Sequence, residues 1–570
     1  MPLSSFLYSL SLFWLIIHII HRLSTHHKQG PILPSSISVA NRSQIQWNIT
    51  VQFLHARIET TRWNNAHDRL LSRLKRRRGE RVWLERMYDM GLGVGVVGMV
   101  VALVLLVWTT WSLMKSLAIR SVEGGAGSVG RLLRRDMDGT VRRSYEDRGM
   151  DSPITPIIPG LTVPIAHIPF ILVSLFLSQI VHEMGHAISG ALYGIPILSS
   201  GASLIICIPA AFVAFSTEKL DTLRPAMKAK ITAAGPFHNL LFLGVWFLVG
   251  WVMRLRDGMV GGLVLSVAGY RDVSEFGRVV VGVEETSPLA GYLIPGTIVT
   301  KLNDHSMVPS EEDSDPWSSF LKSSKNDEME FGWCVDSAEL GVCINVLTYA
   351  KANEDRLESS SKECCLPDEP TLTSLSCFVA NTKPIQLGCL NPVPILTSTD
   401  PKVRCYSETG CHDGSVCVRP AEKENLLRLT VLHNDQDREE VVLWTGPRNE
   451  IYDEVTVDKW LPRFSFLPLS LPSWLNIFWE YMSTVNHSLF LFNLVPISGL
   501  DGSHLLRSLF EMVKDRGSET YDLEALESGD ATENHRSRPR FEALERLISG
   551  GAAVLVGLDL VLVGLGLLRT

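Results

Sequence analysis

The chain has 570 residues, 46% hydrophobic and 20% charged, with a formal net charge of −8. That length allows several folded units, and no basic patch marks nucleic acid as a partner. The averages conceal a sharp segregation of apolar runs from charged loops, so the charge is expected to be spread over both sides of a membrane.

Apolar runs near Phe6–Ile20, Met90–Trp111, Val163–Leu192, Pro236–Met253, Ile477–Val495 and Leu547–Leu568 are candidate membrane helices. Met1–His21 lacks a basic n-region and a small-residue cleavage site, so it is expected to be an uncleaved anchor. Arg73, Lys75, Arg76, Arg77, Arg78, Arg81 and Arg86 crowd ahead of the second run, which places that loop in the cytosol. The next loop, Lys115 to Pro159, carries Arg134, Arg135, Arg142 and Arg143 and competes with it; the denser juxtamembrane cluster decides. The sequons at Asn41 and Asn48 then face the cytosol and stay unmodified.

The third run contains His182-Glu183-Met184-Gly185-His186. On a helix this spacing puts two imidazoles at i and i+4 on one face with a glutamate beside them. Such a face can hold a zinc ion, and the glutamate can handle the proton of a water. Ionisable groups in hydrocarbon are costly and mark function. Ile195–Phe215 follows; it is apolar, but Gly201, Pro209 and its small residues predict a re-entrant hairpin rather than a spanning helix. Gly235-Pro236-Phe237-His238-Asn239 then opens the next run, with His238 and Asn239 either facing the bundle interior or marking a helix start.

Val281 to about Pro472 reads as a soluble insertion of short β-rich runs between Pro and Gly turns. All cysteines except Cys207 fall within Cys334–Cys417, a density that predicts disulfides and an oxidising, lumenal compartment. Asp515–Arg540 is polar and is expected to be a mobile cytosolic loop. Two histidines leave a catalytic zinc short of a protein ligand. Asp501, in Asn493-Leu494-Val495-Pro496-Ile497-Ser498-Gly499-Leu500-Asp501-Gly502, is the best third ligand, because Pro496 and Gly499 break the preceding helix and let it turn inward. His504 is a weaker candidate.

These motifs, in this order, resemble the site-2 protease family of intramembrane zinc metalloproteases. The resemblance covers the H-E-x-x-H run, the G-P-x-x-N run, a PDZ-like domain and the N-x-x-P-x-x-x-L-D-G segment. The cysteine-rich insertion with Cys364-Cys365 and the segment around Trp47 are similar to the animal and fungal branch that processes membrane-bound transcription factors. The resemblance implies that His182, His186 and Asp501 bind Zn2+ and that Glu183 is the general base. Asn239 would help hold a substrate strand, while Asn493 and Pro496 shape the ligand loop. The hairpin at Ile195–Phe215 could offer an edge to an extended substrate segment.

The fold expected is a polytopic α-helical membrane protein of about six spans with an inserted lumenal PDZ-like β domain that carries a cysteine-rich insertion. Its divisions are residues 1–162 (anchor region with two spans and the basic loop), 163–256 (first part of the catalytic core), 275–472 (β domain) and 473–570 (second part of the core and last span). The expected activity is endoproteolysis within the membrane segments of membrane-anchored proteins already trimmed on the lumenal side, releasing membrane-anchored transcription factors from a Golgi or endoplasmic reticulum membrane. A non-catalytic membrane scaffold with a PDZ-like interaction module is the alternative. Intact His182, Glu183, His186 and Asp501 argue against it.

Overall fold

The computed structural model describes residues 3–26, 47–123, 157, 162–254, 259–310, 315–323, 332–338, 340–342, 375–380, 386–398, 403–405, 410–412, 414–421, 424–433, 436–528 and 538–568. The sequon at Asn41, the arginines at 134–143 and Cys343, Cys364 and Cys365 lie outside the described residues. The chain divides into two units, Met1–Trp251 with Ile477–Thr570, and Val252–Asn476.

The first unit contains helices α1 (Leu3–His26), α2 (Asn64–Arg76), α3 (Arg78–Glu123), α4 (Ile168–Leu192), α5 (Pro225–Arg254), α6 (Leu471–Asn493, which begins in the other unit), α7 (Asp501–Ser528) and α8 (Arg538–Leu568). Among the described residues, four stretches are long and apolar enough to cross a membrane: Arg78–Ala118, Ile165–Leu192, Pro225–Met253 and Phe541–Leu565. The apolar part of α1, Tyr8–Leu23, is shorter, and α6 carries Asn476, Glu480, Asn486 and His487 among its apolar residues. The protein is thus a polytopic membrane protein with an inserted β-rich unit.

Three expectations need correction. The run expected at Met90–Trp111 lies within a 46-residue helix. Its N-terminal extension is made of good helix formers braced by the i,i+4 pair Arg81–Glu85 at 2.9 Å. Pro236 does not open a helix but sits inside α5, a position tolerated in membrane helices where neighbouring protein covers the backbone. The segment after Lys514 is helical as far as Ser528, since it continues α7 and closes with the good helix formers Leu523-Glu524-Ala525-Leu526-Glu527; residues 529–537 lie outside the described residues.

The hairpin expected at Ile195–Phe215 is present as β3 (Ile197–Ile205) and β4 (Ile208–Phe215), but it is not alone. The stretch around Trp47, expected in a basic loop, forms β1 (Trp47–Gln52) and β2 (His55–Thr60), giving an antiparallel sheet in the order β1-β2-β3-β4. Glu59 pairs with Gly201 across it, where a Cβ would come within 2.0 Å of the Ile58 carbonyl oxygen. Trp14 of α1 donates its indole N–H to the carbonyl of Ile206, in the β3–β4 turn, at 2.7 Å.

Helix α3 reads Gly91, Gly95 and Gly98 on its inner side. Side chains there would meet Phe237, Ala233 and Leu494 at 2.8, 3.0 and 2.5 Å, so the glycines permit close helix approach. Met99, Ala229, Ala233, Phe490, Leu494, Leu505 and Leu506 bury one another as a result. This cluster ties α3 and α5 to the α6–α7 junction. Lys230 of α5 also pairs with Asp89 of α3.

In the second unit an antiparallel sheet runs in the spatial order Gln436–Thr445, Leu426–His433, Ile298–Leu302, Arg278–Val283, Val455–Asp458. Val280, Leu289, Leu293, Val299, Leu302, Leu429, Val431 and Ile451 form its buried core. The cysteine-rich stretch builds a sheet of its own around Trp333, Phe378, Leu396 and Val418. Disulfides Cys334–Cys411 and Cys405–Cys417 staple its strands.

Candidate metal centre

Helix α4 presents His182, Glu183 and His186 as its sequence spacing requires, one turn apart on a face turned to the protein. The two Nε2 atoms lie 3.1 Å apart. Asp501 enters from the first turn of α7, with Oδ2 at 2.8 Å from His182 Nε2 and 3.3 Å from His186 Nε2. Three features of the sequence set that entry. Helix α6 ends at Asn493, the turn contains buried Pro496, and Gly499 takes φ +94°. At Gly502 a Cβ would lie 2.4 Å from the Leu494 carbonyl oxygen, so only glycine lets α7 start this close to the turn. His504 is not part of the group.

The three ligand atoms lie within 4.8 Å of one another. Asp501 Oδ2 is buried and accepts no hydrogen bond of good geometry despite these short distances. Electron-pair donors converging on one point in a protein interior repel unless a cation sits between them. Gly235 of α5 keeps that point open: a Cβ there would lie 2.4 Å from His186 Nε2 and 2.7 Å from His182 Nε2. Two nitrogens and one carboxylate oxygen, with room left on one side, suit a divalent ion that retains an open position.

The far side of each imidazole is also held. His186 Nδ1 lies 2.9 Å from the Ile231 carbonyl oxygen, so it donates there and leaves Nε2 as the lone-pair atom. His182 Nδ1 faces the Asn239 side-chain amide at 3.3 Å. If Nε2 gives its lone pair, Nδ1 carries the proton, and Asn239 can accept it only through Oδ1. That oxygen is buried and otherwise without a hydrogen bond, so a half-turn of the amide satisfies both groups. Asn486 of α6 braces the residue, donating Nδ2–H to the Asn239 backbone carbonyl at 2.6 Å. Glu183 faces β4, where Oε2 accepts from Val213 N–H at 3.0 Å.

The structure therefore brings His182, His186 and Asp501 to one point, with Glu183 beside them on α4. Asn239 is fully buried against His182, and Asn493 and Pro496 lie in the turn that delivers Asp501. Sequence reasoning overlooked Gly235 and Asn486 as site residues, and passed over Gln179, one turn before Glu183 on α4, whose Oε1 accepts from Ala211 N–H of β4 at 2.8 Å. A polar amide in an apolar run was the available signal for Gln179 and Asn486. Nothing in the sequence alone points Gly235 at the imidazoles.

Comparison with known proteins gives the family. A model of peptidase family M50 matches residues 170–398 and 470–525, half of the chain. The chain is similar to the membrane-bound transcription factor site-2 protease homolog of Arabidopsis thaliana, 23% identical over 401 residues that make up 63% of this chain and 73% of that protein. No solved structure matches the chain. Membrane helices that gather metal-binding side chains, in a chain with these relatives, define an intramembrane metalloprotease. The chain belongs to peptidase family M50. The site-2 protease resemblance is borne out, and with it dependence on a metal ion and action on membrane-anchored substrates in a lipid bilayer.

Proposed function

We propose that the metal is zinc, held by Nε2 of His182, Nε2 of His186 and Oδ2 of Asp501, and that Glu183 is the general base. The convergence of those three atoms is the observation that carries the assignment. A zinc ion there would act as a Lewis acid and lower the pKa of a water to about 7. The Glu183 carboxylate takes the proton of the attacking water and returns it to the leaving amide nitrogen. Asn239 was expected to hold substrate; its burial against His182 supports instead a part in orienting that imidazole, with Asn486 behind it. Asn493 and Pro496 shape the turn that aims Asp501.

The substrates are membrane-spanning segments of proteins whose lumenal parts have already been trimmed, and the products are membrane-anchored transcription factors set free. The name of the Arabidopsis relative supports that substrate class. The core comprises residues 163–256 and 473–570, behind an anchor region at 1–162. Helices α1 and α6 complete about six spans. The β domain at 275–472 is PDZ-like, lies in the lumen of a Golgi or endoplasmic reticulum membrane, and acts as a size filter. A single-span model substrate, made with and without a bulky lumenal domain, tests this. Cleavage of the trimmed form alone is expected, and equal cleavage of both would reject the filter.

The lumenal assignment has its own test. Cys334, Cys405, Cys411 and Cys417 are in disulfides, and burial together with the neighbouring Glu424 carboxylate pushes the Cys377 thiol up to about 11. A membrane-impermeant thiol probe should therefore miss these positions on sealed vesicles with the cytosolic face outward, even after a reductant is added, and should label the four disulfide cysteines only when the membrane is permeabilised as well. Ready labelling from the cytosolic side without reductant would invert the orientation.

A further inference from the structure

We propose that Gln179 and Glu183 cap the open edge of β4 in the substrate-free enzyme, and that an extended substrate segment enters by taking over the two backbone donors they hold. The proposal rests on the protease reading above and deepens it. Among the described residues, strand β4 is last in its sheet, so one edge of it has no strand neighbour there. An uncovered edge is untenable in hydrocarbon, because each unpaired N–H there is costly. Gln179 Oε1 accepts from Ala211 N–H at 2.8 Å, and Glu183 Oε2 accepts from Val213 N–H at 3.0 Å.

The match is periodic. Residues four apart on a helix rise about 6 Å, and residues two apart on a strand advance about 6.6 Å, so α4 reads β4 in phase. The preceding position of the same parity is Pro209, which pairs with Leu204 across the hairpin and has no N–H to offer. Over Pro209–Val213 every outward donor is thus either missing or held by α4.

An extended peptide that adds to this edge must displace both side chains. The displacement of Glu183 has a consequence for the chemistry: the carboxylate that takes the proton is tied to the backbone until a strand replaces it. Gln179 is then a positioning residue that competes with substrate, without touching the reacting atoms. Its loss makes the edge easier to occupy.

The test uses full-length enzyme in nanodiscs and a single-span peptide substrate, with Gln179→Leu, which lacks the acceptor, and Gln179→Glu, which keeps one. Gln179→Leu is expected to lower KM roughly three- to tenfold, the worth of one hydrogen bond, with kcat changed less than twofold. Gln179→Glu should keep KM at or above the wild-type value. An unchanged or raised KM in Gln179→Leu, or a fall in kcat alone, would overturn the proposal. Independently of Gln179, a cysteine walked along the substrate should crosslink to Val213→Cys, in a Cys207→Ser background, at every second position. A repeat of three to four positions, or no crosslinks, overturns it too. A wild-type enzyme that cuts nothing sinks the protease reading itself, whereas a cutting enzyme with unaltered KM in Gln179→Leu sinks only the edge exchange.

Discussion

Glu183→Gln is expected to lower cleavage about 10²–10⁴-fold, the usual worth of a positioned general base, while leaving one metal ion per chain. The amide nearly matches the carboxylate in shape. Its oxygen can still accept from Val213 N–H, which Glu183 holds at 3.0 Å, so β4 and α4 should keep their registration. What the amide lacks is the capacity to take a proton. In cells the variant should accumulate membrane-bound substrate fragments that the wild type clears. Two assays on the same purified sample decide the matter: turnover of a single-span substrate and metal content. Wild-type turnover would mean that another group takes the proton. Loss of the metal together with activity would show that Glu183 holds the site together and would leave its role as a base unsupported.

Chemistry was more legible in this chain than architecture, for a physical reason. The motif at His182–His186 is local: a helix of any length puts i and i+4 on one face, and an apolar neighbourhood makes the ionisable pair conspicuous. Asp501 was reachable because Pro496 and Gly499 punctuate an apolar run. The hairpin at Ile195–Phe215 could be read from small residues and Pro209, but its partners could not. Strand β2 pairs with β3 from 140 to 150 positions away, and no periodicity within either segment reports such a pairing. The basic residues around Arg73–Arg86 drew the reading toward a loop, whereas Arg and Glu are good helix formers and extend α2 and α3 through that stretch. The surroundings of Asn239 were hidden for a similar reason: its neighbours His182 and Asn486 lie on other helices, so its burial is a tertiary property.

Gly235→Ala is expected to expel the metal without unfolding the helix that carries it. A methyl group at this position would lie 2.4 Å from His186 Nε2 and 2.7 Å from His182 Nε2. Zinc bound to imidazole nitrogen sits at about 2.0–2.1 Å, so methyl and metal compete for one volume. Alanine is the better helix former by about 1 kcal/mol, which favours α5 while the site is lost. Gly244 on the same helix supplies the comparison, since a Cβ there meets nothing within 4 Å. Gly244→Ala should bind metal normally. Thermal unfolding in lipid nanodiscs, with and without a chelator, separates the two. A ligand that binds only the folded state stabilises it by mass action, so wild type and Gly244→Ala should lose stability when metal is stripped. Gly235→Ala should be insensitive to the chelator, contain no stoichiometric zinc and fail to cleave. If it instead retains one tightly held ion per chain, the ligands of that ion do not face Gly235, and the assignment of His182, His186 and Asp501 to a common metal falls with it.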